Sequence, residues 1–164
     1  MRTLYPQPLT RENFAPFGEV IETSGSRHFA INGGTTERFH DLAHVDVSES
    51  GGRPLISIFR TQPVKRPLTV RLMERHPLAS QAFIPLCRSP FLVLVAPAGD
   101  TLTAADLQLF QTNGHQGVNY RRNVWHHPVL ALASNQEFLV VDRGGEGKNC
   151  DEYLLSEEIQ IFVT

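Results

Sequence analysis

LTVRLMERH, Leu68 to His76, alternates its side chains with a period of two. Leu68, Val70, Leu72, Glu74 and His76 form one set, and Thr69, Arg71, Met73 and Arg75 the other. That period belongs to a β-strand and puts each set on one face. The even face is apolar for its first three positions and then becomes a carboxylate and an imidazole. Both are expected to point inward at the strand's end. Burying them costs several kcal/mol unless they are paired or ligate something. A closed barrel with a polar mouth explains the pattern, because small barrels hold ligands there.

Outward from this strand the chain reads the same way. Pro54 to Gln62, Gln81 to Leu86, Phe91 to Ala96, Val118 to His126, Val129 to Ala133, Glu137 to Asp142 and Glu158 to Val163 are short, rich in β-branched and aromatic residues, and bounded by turn residues. The spacing predicts an antiparallel sandwich or barrel, since no long helices separate the strands as a parallel βαβ fold requires. Two short helices are expected. Thr10 can cap one running through Phe14, which Pro16 ends, and Thr103 with Asp106 resembles a capping box for one over Ala104 to Phe110.

A length of 164 residues fits one domain, 1–164, with no repeat or linker to divide it. Hydrophobic residues at 41% and charged residues at 20% exclude a disordered chain. A net charge of -2 offers no general attraction for nucleic acid or anionic lipid. The longest apolar run, Phe91 to Ala98, is far short of the ~20 residues of a membrane helix. Met1 to Pro16 contains no apolar core of a secretory signal, so the reducing cytoplasm is the expected location, with Cys87 and Cys150 as structural thiols.

Placement singles out a few of the seven histidines. Glu74-x-His76-x4-Gln81, followed at a distance by Trp125-His126, can gather four O and N donors from two hairpins. Imidazole and carboxylate suit a divalent ion such as Zn, Ni, Mn or Fe, and an amide is a weak, neutral fourth donor. The same residues also suit a buried ion pair at a barrel rim, and His126 or His127 alone a satisfied core histidine. If the segments flanking Pro63 to Pro67 form a hairpin centred on Lys65, Arg60 lies on the face of Leu72 and Glu74. There its guanidinium could grip a substrate carboxylate bidentately, whereas a one-residue slip turns it to solvent. Trp125, on the face opposite His126, is expected to pack.

The spacing resembles a degenerate cupin metal motif in which the usual His-x-His-x4-Glu has become Glu74-x-His76-x4-Gln81, with the distal histidine at His126. More specifically, ERHPLASQAFIPL (Glu74 to Leu86), QGVNYRRNVWHHP (Gln116 to Pro128), FLVVDRGG (Phe138 to Gly145) and NCDE (Asn149 to Glu152) resemble the ureidoglycolate lyase family, as do LTRENFAPFGEVIE (Leu9 to Glu22), ERFHDL and SIFRTQP. The likeness spans nearly the whole chain. It implies a mainly all-β, cupin-like antiparallel β-barrel or jelly-roll with a few short helices, usually a homodimer. It also implies a small-molecule substrate, (S)-ureidoglycolate, cleaved to glyoxylate and urea in allantoin and purine catabolism, and an associated divalent metal, nickel being the one suggested.

That reaction needs a base for the carbinol hydroxyl and an acid for the departing nitrogen. Glu74 or His76 could take the first proton, and His126 or Tyr120 could supply the second. A metal on Glu74, His76, Gln81 and His126 could act as a Lewis acid. Arg60 is the candidate for the substrate carboxylate and Asn119 for its ureido group. Asn119 and Tyr120 lie on opposite faces of a regular strand, so both serve only if the strand bulges near Arg122 and Asn123. The rival expectations are an amidohydrolase releasing ammonia and carbon dioxide, a cupin sugar isomerase, and a non-catalytic small-molecule-binding cupin.

Overall fold

The structure, a computed structural model, describes residues 1–164 and is built almost entirely of strands. In chain order these are β1 (Arg2–Leu4), β2 (Gln7–Pro8), β3 (Gly18–Ile21), β4 (His28–Ile31), β5 (Thr36–Phe39), β6 (Arg53–Thr61), β7 (Leu68–Arg75) and β8 (Gln81–Pro85). There follow β9 (Phe91–Ala96), β10 (Gln108–Gln111), β11 (Gly117–Tyr120), β12 (Trp125–His126), β13 (Leu130–Ala131), β14 (Gln136–Gly144) and β15 (Asp151–Ile161). An eight-stranded sheet runs β1-β15-β7-β12-β9-β10-β2, with β13 also on β9, and a five-stranded sheet runs β3-β11-β8-β14-β6. β4 and β5 form a separate hairpin. No helix is long and apolar enough to cross a membrane.

Alternation along the strands builds the core. Phe83, Val118, Tyr120, Phe138 and Val140 of the smaller sheet meet Phe91, Val93, Val95 and Phe110 of the larger one. The intervening residues Leu92, Leu94, Ala96 and Leu109 pack with Met73, Trp125, Leu155 and Ile159, because the larger sheet curls over its own back. Every residue of β9 is therefore buried, which is why FLVLVA reads as an unbroken apolar run. The mainly β architecture expected from the sequence is present.

Local expectations hold in part. Thr10 caps α1 (Arg11–Phe14) through a complete capping box, with the Asn13 amide N–H donating to Thr10 Oγ1 and the Thr10 N–H to Asn13 Oδ1. The second helix does not form. Thr103 and Asp106 make their box, but only a 3₁₀ turn follows (Ala104–Asp106) before the chain becomes β10. Pairing with β9 lets Leu109 enter one core and Phe110 the other, and that burial overrides helix propensity. The sheets are not purely antiparallel either, since β1 joins β15 and β2 joins β10 in parallel.

Three further differences shape the site. The stretch Val118 to His126 is two strands, broken at Arg121–Val124, where Asn123 has a positive φ of 66° and its N–H donates to His76 O. The hairpin about Lys65 is absent: β6 pairs along its whole length with β14, and residues 62–67 carry the chain from the smaller sheet to the larger. In β7 the alternation breaks, for Val70 and Met73 share one core while Leu72 is only partly buried. The break lies opposite a register irregularity in β15 between Leu154 and Ile159, the geometry of a bulge.

Candidate active site

Past that break, β7 delivers Glu74 as the direct cross-strand partner of His126 on β12. His76 follows immediately after the strand, and β8 begins with Gln81. The ligand atoms of Glu74, His76 and His126 lie within 4.8 Å of one another, and the two imidazole centroids are 5.0 Å apart. Tyr120, at the end of β11, lies flat on His126 with a centroid separation of 4.2 Å and an interplanar angle of 9°. The structure thus gathers Glu74, His76, Gln81, His126 and Tyr120.

His126 is 1% exposed, and its Nδ1 lies 3.3 Å from the Val124 carbonyl, to which it donates in the neutral tautomer. Burial, with His76 adding to it, lowers its pKa to about 3, so the ring is neutral. Its buried Nε2 is then a bare lone pair with no hydrogen-bond partner, 3.6 Å from Glu74 Oε1. Two acceptors facing each other at that distance repel unless a proton or a cation lies between them. Burial raises the Glu74 pKa against the opposing pull of His76, which favours the proton. The donor set itself, one carboxylate and two imidazoles with an amide oxygen beside them, fits a divalent transition ion. The Glu74–His76–His126 cluster could hold a metal.

The surroundings fix these donors. His76 Nδ1 lies 2.7 Å from the Asn149 carbonyl and its Nε2 lies 3.0 Å from Gln81 Oε1. Gln81 Nε2 in turn donates to Asp142 Oδ2 at 3.2 Å, so Asp142 turns the amide to present its oxygen to the cluster. Asn149 Oδ1 also accepts the Leu78 N–H, tying the turn after β7 to the β14–β15 connection. The Cys150 thiol sits 3.8 Å from Glu74 Oε2. Sequence reasoning missed all three. Asp142 was accessible, because it continues the inward alternation of Phe138 and Val140 to the barrel end; Asn149 acts mainly through a backbone oxygen, which no residue type announces.

Two expected site residues are elsewhere. Arg60, on a strand of the other sheet, is exposed and its Nη2 pairs with Glu137 Oε2 at 3.0 Å. The hairpin that would have turned it inward does not exist. Asn119 faces away from the cluster because β11 is regular up to Tyr120; its Nδ2 donates to Glu19 Oε2 and to the His44 carbonyl. Trp125 packs as expected, its indole N–H donating to Gly99 O and the Arg75 guanidinium lying 4.7 Å from the ring centroid. Cys87 and Cys150 are free thiols.

Solved structures similar to this one include a 3,4-ketoisomerase from Helicobacter canadensis, at TM-score 0.45 and 14% identity, covering 79% of this chain and 85% of that one. Relatives in sequence are much nearer. A ureidoglycolate lyase from Pseudomonas putida (strain W619) is 58% identical over 163 residues, 99% of this chain and 98% of its own. One from Stutzerimonas stutzeri (strain A1501) is 55% identical, covering 99% of this chain and 96% of its own. The family model described as Ureidoglycolate lyase matches residues 1–162. With a full-length match and relatives at this identity, the chain belongs to the ureidoglycolate lyase family.

Proposed function

We propose that this chain is a carbon–nitrogen lyase that eliminates urea from (S)-ureidoglycolate and leaves glyoxylate, acting as a single cupin-like domain in a cytoplasmic homodimer. The family supplies the substrate. The observation that carries the chemistry is the bare His126 Nε2 facing Glu74 beside Tyr120 and His76.

Elimination consumes no water: the carbinol O–H gives up its proton, the carbon–nitrogen bond breaks as the carbonyl forms, and the departing urea nitrogen takes up a proton. Glu74, whose basicity burial has raised, takes the hydroxyl proton. Tyr120, whose pKa burial and the Glu74 charge push up, stays a neutral phenol and supplies the proton to nitrogen. His126 has no N–H directed at the cluster, so it acts as a lone-pair donor and not as the acid. Glu74, His76, His126 and the Gln81 oxygen would hold the divalent ion, nickel being the family's suggestion. Such an ion supplies positive charge to the substrate's oxygens and lowers the pKa of its hydroxyl.

Incubating the purified protein with (S)-ureidoglycolate and measuring urea against ammonia, with no urease present, tests this reading. Stoichiometric urea and glyoxylate are expected; ammonia without urea would make the protein an amidohydrolase instead. A second prediction follows from the Gln81 contact. Asp142→Leu removes the acceptor that orients the amide, and nickel affinity measured by calorimetry is expected to fall about 10- to 100-fold, the usual cost of losing an outer-shell partner. Unchanged affinity in a folded variant would remove Gln81 from the donor set.

A further inference from the structure

β6 and β14 turn an apolar face away from the core. Register fixes which side chains lie on it: Ile58 stands opposite Leu139 and Leu139 opposite Ile84, while Ile56 stands opposite Val141. The alternate positions point inward, where Phe83, Phe138 and Val140 join the core and Phe59 packs edge-on against Phe83. An antiparallel sheet with one face on the core ordinarily turns polar residues outward. Here Ile56 is 76% exposed and Ile58 52%, with Leu139, Val141 and Ile84 half-buried beside them.

Charge is confined to the ends of these strands. At one end Arg60 pairs with Glu137, and at the other the Arg143 guanidinium is buried against the carbonyls of Glu49 and Glu146. An apolar centre with a polar rim is the anatomy of a protein interface. The chain also exposes 8924 Å², whereas a folded monomer of its 18.4 kDa is expected to expose about 8,200 Å². The excess of about 700 Å² approaches the ~800 Å² that each partner covers in a standard interface.

We propose that two copies of this chain join through this face, sheet on sheet, about a two-fold axis running along the strands between β6 and β14. The proposal rests on the homodimer stated above and gives it an interface. A two-fold interface must be complementary to itself. Apolar rows meet their own kind, and the rim offers one cation and one anion on adjacent strands. The axis therefore brings Arg60 of each copy to Glu137 of the other, where a rim of a single sign would repel its copy. Sheets packed in this way sit about 10 Å apart with their facing side chains interlocked. β6 is also the edge of its sheet, and an exposed apolar edge strand is a template for indiscriminate pairing that a closed dimer protects. The inner side of the same sheet holds Asp142 and Gln81, so the joined face lies behind the hydrogen bond that orients the Gln81 amide.

Sedimentation of the full-length protein at micromolar concentration tests the interface. The wild type is expected as a dimer. Ile56→Lys combined with Ile58→Lys sets the lysines of both copies against one another and should raise the dissociation constant about a hundredfold, leaving a monomer. Both side chains are exposed in the protomer, so the variant should keep its fold by circular dichroism. Ile58→Thr keeps a β-branched residue in the strand and should weaken the dimer about tenfold, which decides the matter if the lysine variant does not fold. Leu154→Lys is the control: Leu154 is 67% exposed but lies on β15 of the other sheet, and its change should leave the dimer intact. A wild-type monomer would overturn the dimer altogether. A dimer that survives the Ile56 and Ile58 changes, or that Leu154→Lys breaks equally, would overturn this face and leave the homodimer standing on another. Urea release, measured separately, keeps either failure distinct from a failure of the lyase reading.

Discussion

His126→Ala is expected to lower kcat for urea release about a thousandfold, the middle of the range for disabling a proton-transferring group, here Tyr120, whose stacking surface it removes. The ring is buried, neutral, and held by its Nδ1–H on Val124 O so that only the Nε2 lone pair faces Glu74. Alanine removes that donor and also the surface on which Tyr120 is stacked, so the acid and the donor set are disturbed together. Nickel content after purification without chelator should fall in parallel. His127→Ala is the control, because the neighbouring ring turns its Nδ1 to Pro128 O and takes no part in the cluster. A His126 variant that turns over at the wild-type rate would end the assignment; loss in both variants would mean the strand, and not the ring, had failed.

The largest expected effect on stability comes from a glycine. Gly18 opens β3 opposite Tyr120, with φ at +151°, and a Cβ built there would lie 1.8 Å from the Asn119 carbonyl oxygen. That oxygen belongs to the backbone of a central strand and cannot swing aside. Gly18→Ala therefore combines a backbone conformation that side chains rarely adopt with an overlap that only moving β11 can relieve. Each cost is about 1–3 kcal/mol, and together they remove a large part of the ~5–15 kcal/mol of a typical domain. The denaturation midpoint should drop accordingly at unchanged m-value. Gly34→Ala separates the two contributions, since Gly34 also has positive φ, at +90°, but a Cβ there meets nothing within 4 Å. Equal losses in the two variants would show that strain alone acts and that the contact with Asn119 yields.

Movement of β11 reaches both faces. Asn119 donates to Glu19 and to the His44 carbonyl on one face and Tyr120 covers His126 on the other, so the same four-residue strand positions groups on both. Its register against β3 and β8 fixes which residue serves which.

Much of this was written in the chain. The period of two in Leu68 to His76 gave the strand, and the polar end of its inward face gave Glu74 and His76; the spacing to Gln81 and to Trp125-His126 added the other donors, and the resemblance to a known family the substrate. Side-chain type at fixed spacing is local information, and alternation projects it onto a face without any knowledge of partners. Pairing is not local. Arg60 and Glu74 carry plausible chemistry for one substrate, yet only strand order separates them, because β6 joins β14 where a hairpin to β7 was equally consistent with the residues. The protonation of His126 and the orientation of Gln81 belong to the same class, since burial, a carbonyl from Val124 and a carboxylate from Asp142 come from packing. By itself the sequence determined that this is a β-rich family member with a carboxylate and an imidazole two positions apart at the end of β7. Tertiary structure alone decided which residues meet there, because long-range register sets who faces whom, and a shift of one residue exchanges the two faces of a strand.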